Sequence, residues 1–454
     1  MSLSAEVMER LQDEFTADPK NLLAQNVCTR ADPLEAALSR RALERINHVF
    51  QHRVEEVKPC TDQVASGICW MYAGMNAMRI PFMKAFNIKS FEFSQSYLFF
   101  WDKVERTNFF LRAIVDTARR GEPVDGRLVS FLLQRPLDDG GQWDMLLNLI
   151  NKYGVMPKSC FPSARSTERS SSMNGVLMSK LREFARDLRH LVEKGTTDED
   201  LEVTIADQVG QIHRILAICL GLPPRSFTWE YYDREKAYHK VGPLSPRDFY
   251  ERHVKPHFNA EEQVCLTHDP RPANPSGALY TVDRLGNMVG GRATLYNSQP
   301  VELLARLAAA AIVDGKPVWF GCEVSQFFSM KLGINDCSLY DHKVLFGVDV
   351  TLPLTKAERL TFGDTMMDHA MCLTGVTLDE DGKPLKWRVE NSWGEKDGDK
   401  GYMVMSHSWF EEFVFEVVVD KKFVPEDVMA VFDQEPIVLP AWDPLGALAR
   451  VRSN

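Results

Sequence analysis

Gln63-Val-Ala-Ser-Gly-Ile-Cys-Trp-Met-Tyr-Ala73 decides how the rest of this chain is read. A Ser-Gly turn at residues 66–67 runs into Cys69, and from there to Arg79 the residue choice is helical, without proline. A thiol at a helix start meets unpaired backbone N–H groups and the positive end of the helix dipole, both of which favour thiolate. The expectation is a Cys69 pKa below the roughly 8.5 of a free thiol. A Cys-Trp pair at a helix start suits a packed core equally well, so its meaning depends on what else the chain supplies.

A thiolate nucleophile needs a base to take and return its proton, and the base needs an acceptor on its other nitrogen. Asp368-His369-Ala370-Met371 opens an apolar strand pattern, and Trp387-Arg-Val-Glu-Asn391-Ser-Trp-Gly394 closes another. Taken singly, the histidine reads as a core residue and the asparagine as a turn. Taken together, Cys69, His369 and the side-chain carbonyl of Asn391 supply nucleophile, base and orienter. Gln63, six residues before Cys69, can set its amide N–H beside the backbone N–H of Cys69 as an oxyanion hole.

This combination resembles the papain superfamily of cysteine peptidases, and more closely its large bleomycin hydrolase branch. The likeness extends through residues 92–106, 140–145, 153–157, 356–363 and 439–448, so it spans nearly the whole chain. It implies an α+β, papain-like fold: a helical half with the nucleophile, an antiparallel β-barrel-like half with His369 and Asn391, and a large helical insertion. It implies Cys69 as nucleophile, His369 as base, Asn391 as orienter and Gln63 as oxyanion donor. Trp393 would shield the His–Asn hydrogen bond, and Gly140 and Gly141 would hydrogen-bond the substrate backbone, where a side chain would block approach. The chain end at Ala449 would lie in the cleft, its carboxylate meeting the substrate's amino group, which makes an aminopeptidase.

Two departures qualify that picture. Relatives stop shortly after the motif Gly446-Ala-Leu-Ala449, whereas five residues, Arg450 to Asn454, follow it here. Either the enzyme trims this tail or the tail alters its specificity. Ile68, before the nucleophile, stands where the family often has a polar residue, and is expected at the cleft wall. The resemblance further implies small peptides or peptide-like amides as substrates, a homohexameric ring, no cofactor or metal, and a cytoplasmic location.

Composition narrows the alternatives. With 53 Lys+Arg against 63 Asp+Glu, the net charge of −10 argues against general attraction to phosphate backbones. The 44% apolar and 26% charged fractions over 454 residues exclude a disordered acidic chain and a fibrous repeat. The longest apolar run, seven residues from Leu307 to Val313, falls far short of the roughly 20 that span a bilayer. The N-terminus lacks a basic region followed by an apolar stretch. The nine cysteines include no Cys-x-x-Cys, which fits a reduced intracellular protein whose other thiols are buried small hydrophobes.

The expected organisation has five parts. Residues 1–58 form a helical extension, with Asp32 capping a helix that starts at Pro33 and runs to His52. Residues 59–162 hold the nucleophile, with helices over 94–120, 126–133 and 143–153. Residues 163–277 form a helical insertion for subunit contacts, helical from Gly175 to Leu220. Residues 278–438 form the β-rich half, with strands at 318–322, 370–376 and 387–391 and a hairpin turn at 379–383. Residues 439–454 form a tail that enters the cleft. The insertion explains why His369 lies 300 residues after Cys69, when papain-like enzymes use roughly 130–150.

Other features read blandly. His48-x3-His52 is a solvated helix face, and His253-x3-His257 is broken by Pro256, so neither suggests a metal site. Lys180, Arg182, Arg186, Arg189 and Lys194 read as a solvated helix. The alternative is a ring-forming protein that binds nucleic acid weakly through these cations, with a secondary or tail-blocked peptidase site.

Overall fold

The computed structural model describes residues 2–448. The N-terminal arm contains α1 (Ala5–Ala17), α2 (Pro19–Cys28), α3 (Pro33–Ala37) and α4 (Arg40–Leu43). Asp32 caps α3, accepting the Leu34 N–H at 2.7 Å, with Pro33 at the first position. The expected run to His52 does not form. Leu38 turns extended and bridges to Tyr340, Ser39 donates its N–H to the Leu339 carbonyl, and His52 lies in a short strand. Tertiary pairing overrides local propensity here, so His48 and His52 share no helix face.

The helical half follows. It comprises α5 (Cys69–Ala85), α6 (Gln95–Arg119), α7 (Arg127–Gln134) and α8 (Trp143–Tyr153). Ser94 caps α6 by accepting the Tyr97 N–H. Helix α5 continues past Arg79 through Pro81 and is buried on nearly every face, as a helix at the centre of a domain must be. Next come α9 (Arg165–Glu168), α10 (Ser171–Glu193) and α11 (Asp198–Leu220). Gly195 in the left-handed region (φ 73°) and a Thr197 cap divide the expected continuous helix in two. Both long helices pack on α6.

The cations of α10 have partners within the chain. Lys180 pairs with Glu183 and Arg186 with Asp187; Arg182 donates to the carbonyls of Leu133 and Gln134. Arg189 is 9% exposed and donates to the Glu122 carbonyl.

The strands are β1 (His52–Arg53), β2 (Phe227–Tyr232), β3 (Tyr238–Leu244), β4 (Gln263–Thr267), β5 (Leu279–Val282), β6 (Tyr296–Ser298) and β7 (Val318–Cys322). After them come β8 (Phe328–Ser329), β9 (Ile334–Asn335), β10 (His369–Leu378), β11 (Pro384–Glu390), β12 (Tyr402–Ser406), β13 (Val414–Asp420) and β14 (Ile437–Leu439). Strand structure therefore begins well before residue 278. In β2, Phe227 and Trp229 alternate with exposed residues and pack into the aromatic cluster around Phe82. The β10–β11 hairpin turns at Asp379–Lys383 as expected.

Twelve strands form one sheet in the order β14-β5-β6-β4-β13-β7-β10-β11-β12-β9-β8, with β1 added beside β10. Its centre, β4-β13-β7-β10-β11-β12, is antiparallel, but β4/β6, β5/β14 and β9/β12 are parallel. Among the described residues the path is open, from β14 to β8. The expected barrel-like half is thus a mixed, unclosed sheet, because short crossover strands extend its edges. Helix α5 packs on β10 and β7, and one continuous apolar core joins the two halves. This brings the start of α5 to the start of β10.

Candidate active site

Cys69 occupies the first position of α5. Ile68, the residue before it, carries no capping side chain, so the helix N–H groups remain available to the site. Ile68 itself is fully buried, not on a cleft wall. The backbone N–H groups of Ala370, Trp70 and Cys69 itself act on the thiol, which places it against the first residues of β10. Those groups favour thiolate, but Cys69 is 2% exposed and burial dominates, pushing the thiol up to about 12; Asp368 acts in the same direction. The expected lowering by the helix start is therefore outweighed. A thiolate at this position requires a cation beside it.

The residue that can supply that cation is His369. Its Nε2 lies 2.9 Å from Asn391 Oδ1. The Ser392 N–H donates to the same Oδ1 at 2.8 Å, and Asn391 Nδ2 points to Met403 Sδ, so the amide orientation is set from three sides. An acceptor at Nε2 places the imidazole proton there and leaves Nδ1 as the basic nitrogen. The Trp393 ring stacks on the imidazole, with centroids 4.8 Å apart and planes at 28°. A left-handed Gly394 (φ 77°) makes that turn, and a Cβ there would lie 3.0 Å from the Asp62 carboxylate.

Gln63 joins the same chain of hydrogen bonds. Its Oε1 accepts from Ser392 Oγ at 2.6 Å and its Nε2 donates to the Ser66 carbonyl at 2.6 Å, which leaves a second Nε2–H. Ser392 thus connects the amide of Gln63 to that of Asn391. Its role is unmarked in sequence except as part of Asn-Ser-Trp-Gly.

Gly140 and Gly141 lie beside this group, held from below. The Gly140 carbonyl accepts from Arg106 Nη2 at 2.6 Å, and Trp70 Nε1 donates to the Asp139 carbonyl at 2.8 Å. A Cβ on Gly141 would come within 2.6 Å of the Trp70 ring. Glycine is thus required here by packing inside the chain, whatever approaches from the cleft. Replacing Gly141 by Ala should cost about 1–3 kcal/mol through overpacking, visible as an earlier thermal unfolding transition.

Asp139 organises the floor. Its carboxylate accepts from Lys103 Nζ (2.6 Å), Ser170 Oγ (2.5 Å), Asn174 Nδ2 (2.8 Å) and the Gly67 N–H (3.3 Å). Burial works to raise this carboxyl, yet Lys103 and the two polar side chains outweigh it and hold it below its usual value. The loop before Cys69, helix α6 and helix α10 are fastened together through this one group. Tertiary proximity alone reveals it, since its partners lie far apart in sequence.

The tail approaches the same region. Strand β14 pairs with β5, Arg271 grips Asp443 through both terminal nitrogens (2.8 and 3.1 Å), and Leu445 is buried. Gln142 Nε2, beside the two glycines, donates to the Ala447 carbonyl at 3.3 Å. Alongside lies a cavity of about 500 Å³ whose walls include Arg106, Phe109, Phe131, Met366 and Trp442. Ala449 and residues 450–454 lie outside the described residues. No group of metal-binding side chains occurs among the described residues.

A family model of the peptidase C1-like family matches residues 2–446. This chain belongs to that family. It is 56% identical over 452 residues to bleomycin hydrolase of Gallus gallus, covering 99% of each chain. It is 38% identical to aminopeptidase C of Lactobacillus delbrueckii subsp. lactis, covering 98% of each. Among solved structures it resembles PepW from Lactobacillus rhamnosis, with a TM-score of 0.94, 40% identity and 99% of both chains covered. The chain is therefore a cysteine peptidase with a papain-like fold.

Proposed function

We propose that this peptidase is a cysteine aminopeptidase, hydrolysing peptide and peptide-like amide bonds through a thioester on Cys69. The observation that carries this reading is the hydrogen bond from His369 Nε2 to an amide oxygen fixed by Ser392, because it makes Nδ1 the base beside the thiol. Nδ1 takes the Cys69 proton, and the resulting imidazolium stabilises a thiolate that burial would otherwise suppress. The thiolate attacks the carbonyl carbon, and the oxyanion meets the Cys69 N–H and the second Nε2–H of Gln63. The imidazolium then protonates the departing amine. Water, deprotonated by the same Nδ1, attacks the thioester and releases the acid and the thiol. Asn391 keeps the ring in one tautomer, and Trp393 keeps water from their hydrogen bond. Gly141, half-buried beside the buried Gly140, aligns the substrate backbone.

The tail supplies the exopeptidase character. It is fastened up to Ala447 beside Gln142, next to the two glycines, which supports the reading that a chain-end carboxylate meets the substrate's ammonium group. The expected result is a kcat/KM at least about tenfold higher for a free-amine peptide amide than for its N-acetylated form, with the gap widening when residues 450–454 are deleted. Equal rates for free and blocked amines would remove the aminopeptidase assignment.

Assembly into a hexamer and a reduced intracellular location complete the proposal. Val176, Val203 and Ile218 stand exposed on the insertion helices, which suits subunit contacts. All nine cysteines are free, which suits a reducing compartment. No helix among the described residues is long and apolar enough to cross a membrane. The nucleic-acid reading is not the favoured one: Arg182 and Arg189 donate to main-chain carbonyls, and Lys180 and Arg186 pair with Glu183 and Asp187.

A further inference from the structure

We propose that Glu323 is a positioning residue for the catalytic base: standing opposite Asp368, it keeps the proton on His369 as the medium turns alkaline. This rests on the proposed role of His369 as the base beside Cys69, and it concerns a carboxyl group that takes no part in the steps above.

The sheet sets the geometry. Strands β7 and β10 are antiparallel with Cys322 opposite His369, so the residue after Cys322 stands opposite the residue before His369. Those two residues are Glu323 and Asp368. Hydrogen bonds hold them in place. The Asp368 N–H donates to the Cys322 carbonyl at 3.0 Å, and the Val324 N–H donates to Asp368 Oδ1 at 3.1 Å. Glu323 is 4% exposed. Its Oε1 accepts from the Ser325 N–H at 2.9 Å and from the Ser325 hydroxyl, which shapes the turn that presents Val324 to Asp368. Its Oε2 is buried without a hydrogen-bond partner.

Like charges directly opposite on a sheet repel, so the pair either takes up a proton or has a cation beside it. Arg359, on the helix Lys356–Phe362, favours the ionised form of Glu323, but it is committed to the carbonyls of Leu354 and Glu412 and to the Glu412 carboxylate. Cys322 is a thiol that burial and both carboxyls push well up. Burial, with Asp368 adding to it and Ser325 opposing, pushes the Glu323 carboxyl up to about 7. Below that pH Glu323 is neutral and only Asp368 acts on the base. Above it a second carboxylate forms, and the cation that relieves the pair is the His369 imidazolium, one residue from Asp368. The new charge thus arises where an imidazole ordinarily loses its proton, and it opposes that loss.

The pH profile of kcat/KM for a free-amine peptide amide, measured on the full-length wild type and on Glu323→Gln, tests this. Glutamine keeps the acceptor for Ser325 and loses the charge. The alkaline limb should move down by about half a pH unit or more, whereas the acid limb, where Glu323 is already protonated, should stay in place. Glu323→Ala also loses the turn, and it should lower kcat at every pH in addition to moving the alkaline limb. The rate of Cys69 alkylation by iodoacetamide at about pH 5, well below the range of a free thiol, reports the thiolate–imidazolium pair separately. Rapid alkylation in the wild type together with an alkaline limb unmoved in Glu323→Gln would overturn the role of Glu323 alone. A uniform loss across all pH in Glu323→Gln would reduce it to a packing residue and overturn the proposal as well. Slow alkylation in the wild type would remove the ion pair, and with it both readings.

Discussion

Cys69→Ala should abolish hydrolysis, lowering kcat by roughly 10⁴- to 10⁶-fold, while the protein stays folded. The size of the effect follows from the chemistry. With no sulfur there is no thioester, and neither His369 nor Gln63 has a reacting partner, so the group fails as a unit. The structural cost is small by comparison. One buried atom is lost from a helix packed on every side, worth about 1 kcal/mol. Cys219→Ala, at a half-buried thiol on α11, should leave turnover unchanged. Activity assays and thermal unfolding run in parallel on both variants separate loss of the nucleophile from loss of the fold.

The largest effect on stability should come from Glu390→Gln. Arg79 Nη2 meets Glu390 Oε1 at 2.5 Å, with side chains 1% and 0% exposed. Arg79 also donates to the Phe91 carbonyl. The pair ties helix α5, which begins at Cys69, to the residue before Asn391, so it joins the two halves across the site. Removing the carboxylate strands a guanidinium that cannot give up its proton, and the loss should be about 3–5 kcal/mol. Arg79→Met should cost less, because burial already pushes the Glu390 carboxyl up and it can neutralise itself by taking a proton. The double variant should recover part of the loss. Denaturant unfolding of both single variants and the double variant measures this; equal losses from the two single variants would refute the asymmetry.

Much of the catalytic group was legible because its chemistry demands particular residue types. A Ser-Gly turn before Cys69, a histidine opening a strand and an asparagine closing the next one announce themselves. Helices α6, α7 and α8 formed over the expected ranges, and the β10–β11 hairpin turned where its Asp-Gly signal placed it. What stayed hidden depended on tertiary placement. Burial raises the Cys69 thiol instead of the helix start lowering it. Gly141 is required by the Trp70 ring behind it. Asp139 and the Arg79–Glu390 pair act through partners distant in sequence. The open sheet escaped notice because its outer strands are two to four residues long and three of its pairings, β4/β6, β5/β14 and β9/β12, run parallel across long connections. The N-terminal run broke at Leu38 because Tyr340 and Leu339 recruit its backbone.

One thiol among nine, that of Cys69, performs the reaction. Progressive alkylation with iodoacetamide, with Cys69 occupancy read by peptide mapping and residual peptide hydrolysis measured on the same samples, tests it most directly. Activity should fall in proportion to the unmodified fraction of Cys69 and reach zero when that fraction does, whatever the state of the other thiols. Hydrolysis that persists after complete modification of Cys69 would contradict it.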